Sequence, residues 1–476
     1  MLGLFGTLGL GTRSLQTQQQ GTETAGHNLA NVNNPAYSRQ RLQVETSINV
    51  PSMIGPQGTG ADAVGILQIR SSLVDRQIGN EASVRGSLDA QQAVLQTAQA
   101  DLGQQIDRQS TSASSATDAS SVGTQHGLAE SLSSFFNSMK SLSASPTSLT
   151  ERQAVLNNAS GLAMQFGELS SRFDDLKNSI NSSISDDVVT ANTTLQSIAK
   201  LNKEILSTEL SEHGAANDLK DLRQQKLEDL AKLVKADVGQ DSNGNMTISV
   251  GGASLVEGSK VVNQLETFND VSGKLMVREK GGASALTLTG GSLEGRITAR
   301  DGTVADLQSN IDSLAKEVIK GINAIHSAGF SLSGTTGENF FTGTGAADIK
   351  VNQNLISSPG LIQASGVSDA VGDNQVALAM SQFGDQKLPG LKGQTVEQDY
   401  SGAVTLFGQS LATVNSQIAN QDVVDQMLAR QRDSISGVSV DEEMTDLIKY
   451  QKAFQASAKL ISTVDEMLDT VINLKR

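Results

Sequence analysis

Heptad periodicity at both ends, helical periodicity through most of the interior and one central stretch of period-two alternation predict a mainly α protein with an inserted antiparallel β domain. The terminal helices are expected to pair as a coiled coil. Between them in the sequence lie a helical bundle domain and a small β domain. The expected divisions are 1–33 for the first coiled-coil half, 34–238 for the first part of the helical domain and 239–300 for the β insertion. Residues 301–438 form the second helical part, with 330–368 strand-like, and 439–476 the closing coiled-coil half.

The opening stripe runs Leu4, Leu8, Gly11, Leu15, Gln18, Thr22, Ala25, Leu29 and Val32, in alternating steps of three and four. Gly11, Gln18 and Thr22 weaken it, and an isolated helix is marginal in water because nucleation is costly, so this one needs a partner. The closing segment offers one through Val440, Met444, Leu447, Gln451, Phe454, Ala458, Ile461, Asp465, Leu468 and Ile472, broadened by Ile448, Val464 and Val471. At ~1.5 Å per residue the two helices would be ~44 and ~54 Å long, able to run alongside each other. Leu8, Leu15, Leu29, Val32, Met444, Leu447, Phe454, Ile461 and Leu468 are the candidate assembly-interface residues. The alternative is that both are ordinary core helices of one bundle. Ser439 followed by Glu442 fits a capping box, and Asp441, Glu442 and Glu443 place negative charge at the positive end of the helix dipole, with Lys475 and Arg476 at the other end. Those carboxylates are thereby accounted for without catalysis.

Asn33, Asn34 and Pro35 stop the first helix, because proline lacks an amide donor and restricts the residue before it. Arg41–Val50 alternates as a strand, and Pro51–Gly65 reads as a loop. Helical spacing returns over Asn80–Asp107, followed by a Ser/Thr/Ala-rich stretch, Gln109–Thr124, with little to bury and a mobile character. From His126 to Ala236 several antiparallel helices are expected, broken near Ser145–Pro146 and His213–Gly214. The period then changes to two: Met246, Ile248 and Val250 follow the turn signal Asn243–Gly244, and Leu265–Phe268, Lys274–Arg278 and Ala285–Leu288 read as further strands. Helix resumes over Val304–Ala328 through Leu307, Ile311, Leu314, Val318, Ile322 and Ile325. Phe340, Phe341, Ile349 and Val351 are the expected buried points of the glycine-rich Phe330–Ser368, and a further helix runs from Asp399 to about Ile435.

The chain has 476 residues, 37% hydrophobic and 3% aromatic with no tryptophan, so stability must come from long helical contacts or assembly rather than from large aromatic anchors. A formal charge of −15 argues against nucleic acid or an anionic membrane surface as partner. No apolar run is long enough for a membrane span, and the amino terminus does not read as a cleaved signal peptide. Cysteine is absent, which suits export as an unfolded thread into an oxidising medium and equally fits chance. The four histidines are scattered, so neither a metal site nor a cofactor is expected. Ser197 with Lys200 and Ser313 with Lys316 match a serine-x-x-lysine spacing inside amphipathic helices without companion motifs. Gly58-Thr59-Gly60 and Gly343-Thr344-Gly345 lack the strand and helix that a dinucleotide loop needs, and Gly290–Arg296 has arginine where a phosphate loop needs lysine. No catalytic group is assigned.

GHNLANVNNPAYSRQ (Gly26–Gln40) is similar to the amino-terminal signature of the bacterial flagellar rod, hook and hook-associated proteins, and GVSVDEEMTDLIKYQKAFQASAKLIST (Gly437–Thr463) resembles their carboxy-terminal signature. Asn28, Asn31, Asn33, Pro35, Tyr37, Ser38, Arg39 and Gln40 are the motif positions. Within that family, the Tyr37–Gln40 ending and the Asp441–Leu468 run look most like the hook-associated members at the hook–filament junction. The resemblance implies a non-enzymatic axial protein outside the cell, exported unfolded by the flagellar type III apparatus and self-assembling into a ring or tube. It implies contacts with hook protein on one side and the next hook-associated protein on the other, and a chaperone on the carboxy-terminal helix. It also implies that the paired ends lie in the inner tube and the β domain at the outer surface. Two other readings fit the same features: another axial component such as hook or rod protein, and a secreted adhesin or effector with coiled-coil ends.

Overall fold

A computed structural model describes residues 3–51, 55–103, 127–211, 216–240 and 245–473. The expected mobile stretch Gln109–Thr124, the turn Asn243–Gly244 and the terminal Lys475 and Arg476 lie outside the described residues.

Helix α1 spans Leu4–Ala30. Its end follows from sequence: the Asn31 amide donates back to the His27 and Asn28 carbonyls, and the Asn34 side chain accepts from the Ala36 amide to turn the chain. Strand β1 (Gln40–Thr46) pairs antiparallel with β4 (Ala61–Gln68), and the short β2 (Asn49–Val50) pairs with β3 (Gln57–Gly58). Pro51–Gly65, read as a loop, therefore carries β3 and the start of β4. Its small residues show no alternation of their own, and the pairing is supplied by β1.

Helix α2 spans Ser72–Asp101, α3 Leu128–Ala144, α4 Leu149–Ser211 and α5 Asn217–Leu233. The break before α4 falls at Ser145–Pro146, as the pattern predicts. A four-stranded antiparallel sheet follows, β5 (Asp237–Gln240), β6 (Met246–Val250), β7 (Ala253–Glu257) and β8 (Lys260–Val261), in that spatial order. Then comes the hairpin β9 (Leu265–Asn269) with β10 (Leu275–Glu279). Ala285–Leu288 is not a strand: a single bond from the Leu286 amide to the Val277 carbonyl holds it, too little for a ladder. Helix also resumes earlier than the sequence suggests, with α6 (Gly291–Ala299) passing through a π-helical turn, Arg300–Val304, into α7 (Ala305–His326). Small elements follow: β11 (Phe341–Thr342) against β12 (Lys350–Val351), α8 (Gln353–Ser357) and α9 (Gln375–Phe383). The chain closes with α10 (Val396–Ser436) and α11 (Val440–Asn473).

The chain divides into two compact units. The first contains residues 1–87, 187–292 and 420–476, and so holds both terminal helices and the β5–β8 sheet. Here Ile248, Val250, Leu255 and Val256 of the sheet are buried, and Asn192 of α4 both donates to and accepts from the Leu265 backbone at the head of β9.

The second unit contains residues 88–186 and 293–419. Its few aromatics are concentrated: Phe340 and Phe341 stack edge-on at 4.9 Å, and Phe135 lies 6.0 and 5.6 Å from them. The stripe Leu307, Ile311, Leu314, Val318 and Ile322 of α7 is buried as its 3.6-residue period requires. Buried polar side chains complete this core, Arg152 and His326 among them. Arg152 is 1% exposed and donates to the carbonyls of Pro146 and Ile362. His326 is fully buried, with Nδ1 2.7 Å from the Glu338 carbonyl and Nε2 accepting from the Gln363 amide at 3.0 Å.

Candidate assembly interface

α1 and α11 pair antiparallel. Gly11 lies against Ile461, Ser14 hydrogen-bonds Ser457 at 2.7 Å, Gly21 lies against the Tyr450 ring, and Asn28 donates to Glu443 at 2.9 Å. The period is heptad, as the sequence predicts, but the seam is turned. On α1 the leg 11–18–25 is retained, while 14, 21 and 28 replace the expected Leu15, Thr22 and Leu29. On α11 the leg through Ile461 is retained, while Glu443, Tyr450, Ser457 and Val464 replace Met444, Gln451, Ala458 and Asp465. Small and polar residues thus form the α1 side of the contact and receive larger side chains of α11, while Leu15, Leu29 and Met444 sit beside it.

That placement decides what remains outside. Leu8, Leu15, Leu29 and Val32 are half-buried, as are Leu447, Ile461 and Leu468, with Ile461 committed to Gly11. Met444 (45% exposed), Ile448 (55%), Phe454 (39%) and Met467 (51%) lie open, with Phe5, Val471 and Ile472 towards the chain ends. An exposed side chain of this size is ordinary alone; Met444 and Ile448, four residues apart on one face of α11, form a contiguous apolar pair.

The Asn28 end of the pair is tied down by a buried polar cluster. Asn28 Oδ1 accepts from the Gln40 amide and the Tyr37 hydroxyl, at 2.9 and 2.7 Å, and its Nδ2 donates to the Gln40 carbonyl and Glu443 Oε2. Arg39 approaches Glu443 Oε1 at 2.7 Å and Glu442 Oε2 at 2.5 Å, and its amide donates to the Ser436 carbonyl. The Ser38 amide donates to Asp221 of α5, which also receives Gln68 and Arg70. Gln40 reaches Asp218 at 2.7 Å. Six motif positions are engaged here or at the turn beside it: Asn28, Asn31, Tyr37, Ser38, Arg39 and Gln40. Asn33 and Pro35 are exposed.

Burial, and then Asp218, Asp221 and Glu443, push the Tyr37 hydroxyl well above its ordinary range, so it remains a donor. Burial raises the Asp221 carboxyl despite the Ser38 amide and Arg70. For Arg39 burial acts downward, and Glu443 and Glu442 reverse it to leave the guanidinium raised. The expected capping box does not form among the described residues. Glu442 turns to Arg39, because a charge-assisted bond to a guanidinium outweighs one to an exposed amide. Sequence periodicity could not find the cluster, whose members are up to 415 positions apart.

Elsewhere in the first unit a cleft of about 810 Å³ is lined by Arg70, Arg76, Asp75, Arg223, Glu228 and Asp237, cations and carboxylates interleaved. Among the described residues no group of three or more acidic or histidine side chains could hold a metal ion.

Residues 114–341 match the model of the flagellar hook-associated protein FlgK helical domain, and residues 429–474 match that of the flagellar basal body rod FlgEFG protein C-terminal region. The chain is 26% identical to flagellar hook-associated protein 1 of Bacillus subtilis (strain 168) over 99% of both chains. This chain belongs to the flagellar hook-associated protein 1 family. The relative of that name in Escherichia coli (strain K12) is 24% identical over 97% of this chain and 98% of its own. In fold the chain resembles the flagellar hook junction protein FlgK from Burkholderia pseudomallei, with a TM-score of 0.63 at 16% identity, over 76% of this chain and all of that one. The model over α11 is named for basal body rod proteins, whereas the one over α3 to α7 is named for hook-associated protein FlgK. Members of the hook-associated protein 1 family are structural components of the bacterial flagellum, outside the cell.

Proposed function

We infer that this chain is a structural axial protein that joins hook to filament and catalyses nothing, assembling with further copies of itself through α1 and α11. One observation carries the inference. The terminal helices satisfy each other along a seam of small α1 residues while Met444, Ile448 and Met467 stay outside it. Burying apolar side chains is the main drive for association, at about 25 cal/mol per Å² removed from water. An axial subunit gains that burial only when its neighbours arrive, so the interface residues named from sequence, Leu8, Leu15, Leu29, Val32, Met444, Leu447, Phe454, Ile461 and Leu468, act partly within the chain and partly between copies. Hook protein below and the next hook-associated protein above would cap the ring. Export through the flagellar type III route requires the chain to travel unfolded, with a chaperone covering α11.

Location is the direct test. Val271 stands fully exposed at the tip of the β9–β10 hairpin, where a short epitope disturbs nothing buried. Flagella carrying the epitope there should show one narrow band between hook and filament. Labelling along the whole hook or filament, or none on the flagellum, would overturn the reading. The rod-protein alternative draws only on the carboxy-terminal match and predicts loss of the hook itself in cells lacking the chain.

A further inference from the structure

The helix pair does not follow the apolar pattern that announces it. Turning each helix by one residue would bring Leu15 and Leu29 of α1 and Met444 of α11 into the contact and bury more apolar surface. The seam instead uses Gly11, Ser14, Gly21 and Asn28 against Ile461, Ser457, Tyr450 and Glu443. We propose that the Asn28–Glu443–Arg39 cluster, together with the recesses at Gly11 and Gly21, is a specificity device that fixes the rotation and register of α1 on α11, so that the larger apolar residues stay outside for a second copy of the chain. That last clause rests on the assembly reading; the lock itself does not.

Three features of the seam support the lock. Asn28 and Glu443 are each 2% exposed, and a carboxylate so buried is tolerated only where a hydrogen-bond donor or a counter-charge faces it. Glu443 Oε2 accepts from the Asn28 amide at 2.9 Å, Oε1 is ion-paired with the Arg39 guanidinium at 2.7 Å and accepts no aligned hydrogen bond, and Arg39 is itself held by its backbone bond to Ser436. A one-residue turn of α11 moves Glu443 by about 100° around the helix and strands it. The recesses are as selective. A Cβ at Gly21 would stand 2.6 Å from the Tyr450 ring, and one at Gly11 2.7 Å from Ile461. Sliding by one heptad sets Tyr450 against Ser14 or Asn28 and Ile461 against Leu4 or Gln18, where no recess exists. A single buried polar residue can fix register in a coiled coil at some cost in stability, and here polar and steric devices agree.

The native chain has no cysteine, so paired cysteines report the geometry without background. In the full-length monomer, Ser14→Cys with Ser457→Cys reads the seam described, and Leu15→Cys with Ala458→Cys reads helices turned to bury the leucines. The first pair should oxidise at least ~10-fold more completely than the second, a ratio that corresponds to a clear preference between two packings. Asn28→Leu with Glu443→Leu should bring the ratio to about one while helix content by circular dichroism is retained. Gly21→Leu, which leaves the polar cluster in place, should also lower it several-fold. A ratio unchanged in both backgrounds refutes the lock. If the double variant loses helix, Gly21→Leu decides alone, and an unchanged ratio there refutes it. Because every crosslink is read before assembly, a chain with the expected ratios that never enters flagella would sink the assembly reading and leave the lock standing.

Discussion

His326 is held neutral by its surroundings: burial carries its pKa from 6.5 to about 4, and the Gln363 amide already occupies Nε2. The folded state therefore binds its proton later than the unfolded state as pH falls. Above pH 6.5 neither state is protonated and the full stability is present; between pH 6.5 and about 4 the unfolded state gains a proton that the native state refuses, and stability drops. The loss should approach about 3 kcal/mol for the second unit. His326→Gln should flatten that part of the difference curve in urea titrations at successive pH values, whereas an identical slope in both proteins would show that the imidazole does not titrate this way. Arg152 makes a second case at this scale. Its guanidinium is drawn down to about 10 by burial and holds the Pro146 and Ile362 carbonyls. Arg152→Met keeps much of the volume but abandons those acceptors, and should cost about 2–4 kcal/mol in denaturant unfolding, the usual consequence of orphaned buried groups. Neither residue was legible in the sequence, since nothing local distinguishes a buried arginine at a helix start from an exposed one.

Among elements, helix α2 offers two glycines with opposite expectations. A Cβ at Gly86 would collide with the Lys232 carbonyl of α5, whereas one at Gly79 would meet nothing within 4 Å. Gly86→Ala should destabilise the first unit by about 1–3 kcal/mol through overpacking. Gly79→Ala should stabilise it by about 0.5–1 kcal/mol by relieving the entropy of a helical glycine. Thermal melts of the two variants should move in opposite directions; parallel shifts would mean that α2 and α5 do not cross where described. The same contrast explains what the sequence revealed about the candidate interface. Heptad spacing located α1 and α11 and even one correct leg of each, because period survives any choice of face. It does not identify the second leg, because the glycine recesses and the Asn28–Glu443 pair that set the rotation are invisible to periodicity. The β4 strand went unread for a related reason: Ala61–Gln68 has no alternation and is made a strand by β1.

At the scale of the whole molecule, the nested order of helices around a central run of strands was legible, as were α7 and α10 almost to the residue. Each has an uninterrupted apolar stripe longer than any competing pattern. Short elements such as α9 and β8 were not, being too brief to show a period. Proposed division of labour follows: the ends assemble, and the interior supports them. Deleting residues 2–32 should leave hydrogen-exchange protection unchanged over 128–186 and 293–419 of the second unit. Protection lost throughout would make the terminal helix part of the second unit's core.

The central proposal, that apolar residues left outside the α1–α11 seam are covered by neighbouring copies, is tested most directly by incorporation. Met444→Ser, Ile448→Ser and Met467→Ser together alter only side chains that are about half exposed in the single chain. Labelled protein at the hook–filament junction should fall at least ~10-fold relative to the parent, equivalent to about 1.4 kcal/mol lost per contact set, while the melting curve of the free chain is unchanged. Normal incorporation and normal motility of the triple variant would show that these exposed side chains are not the assembly surface.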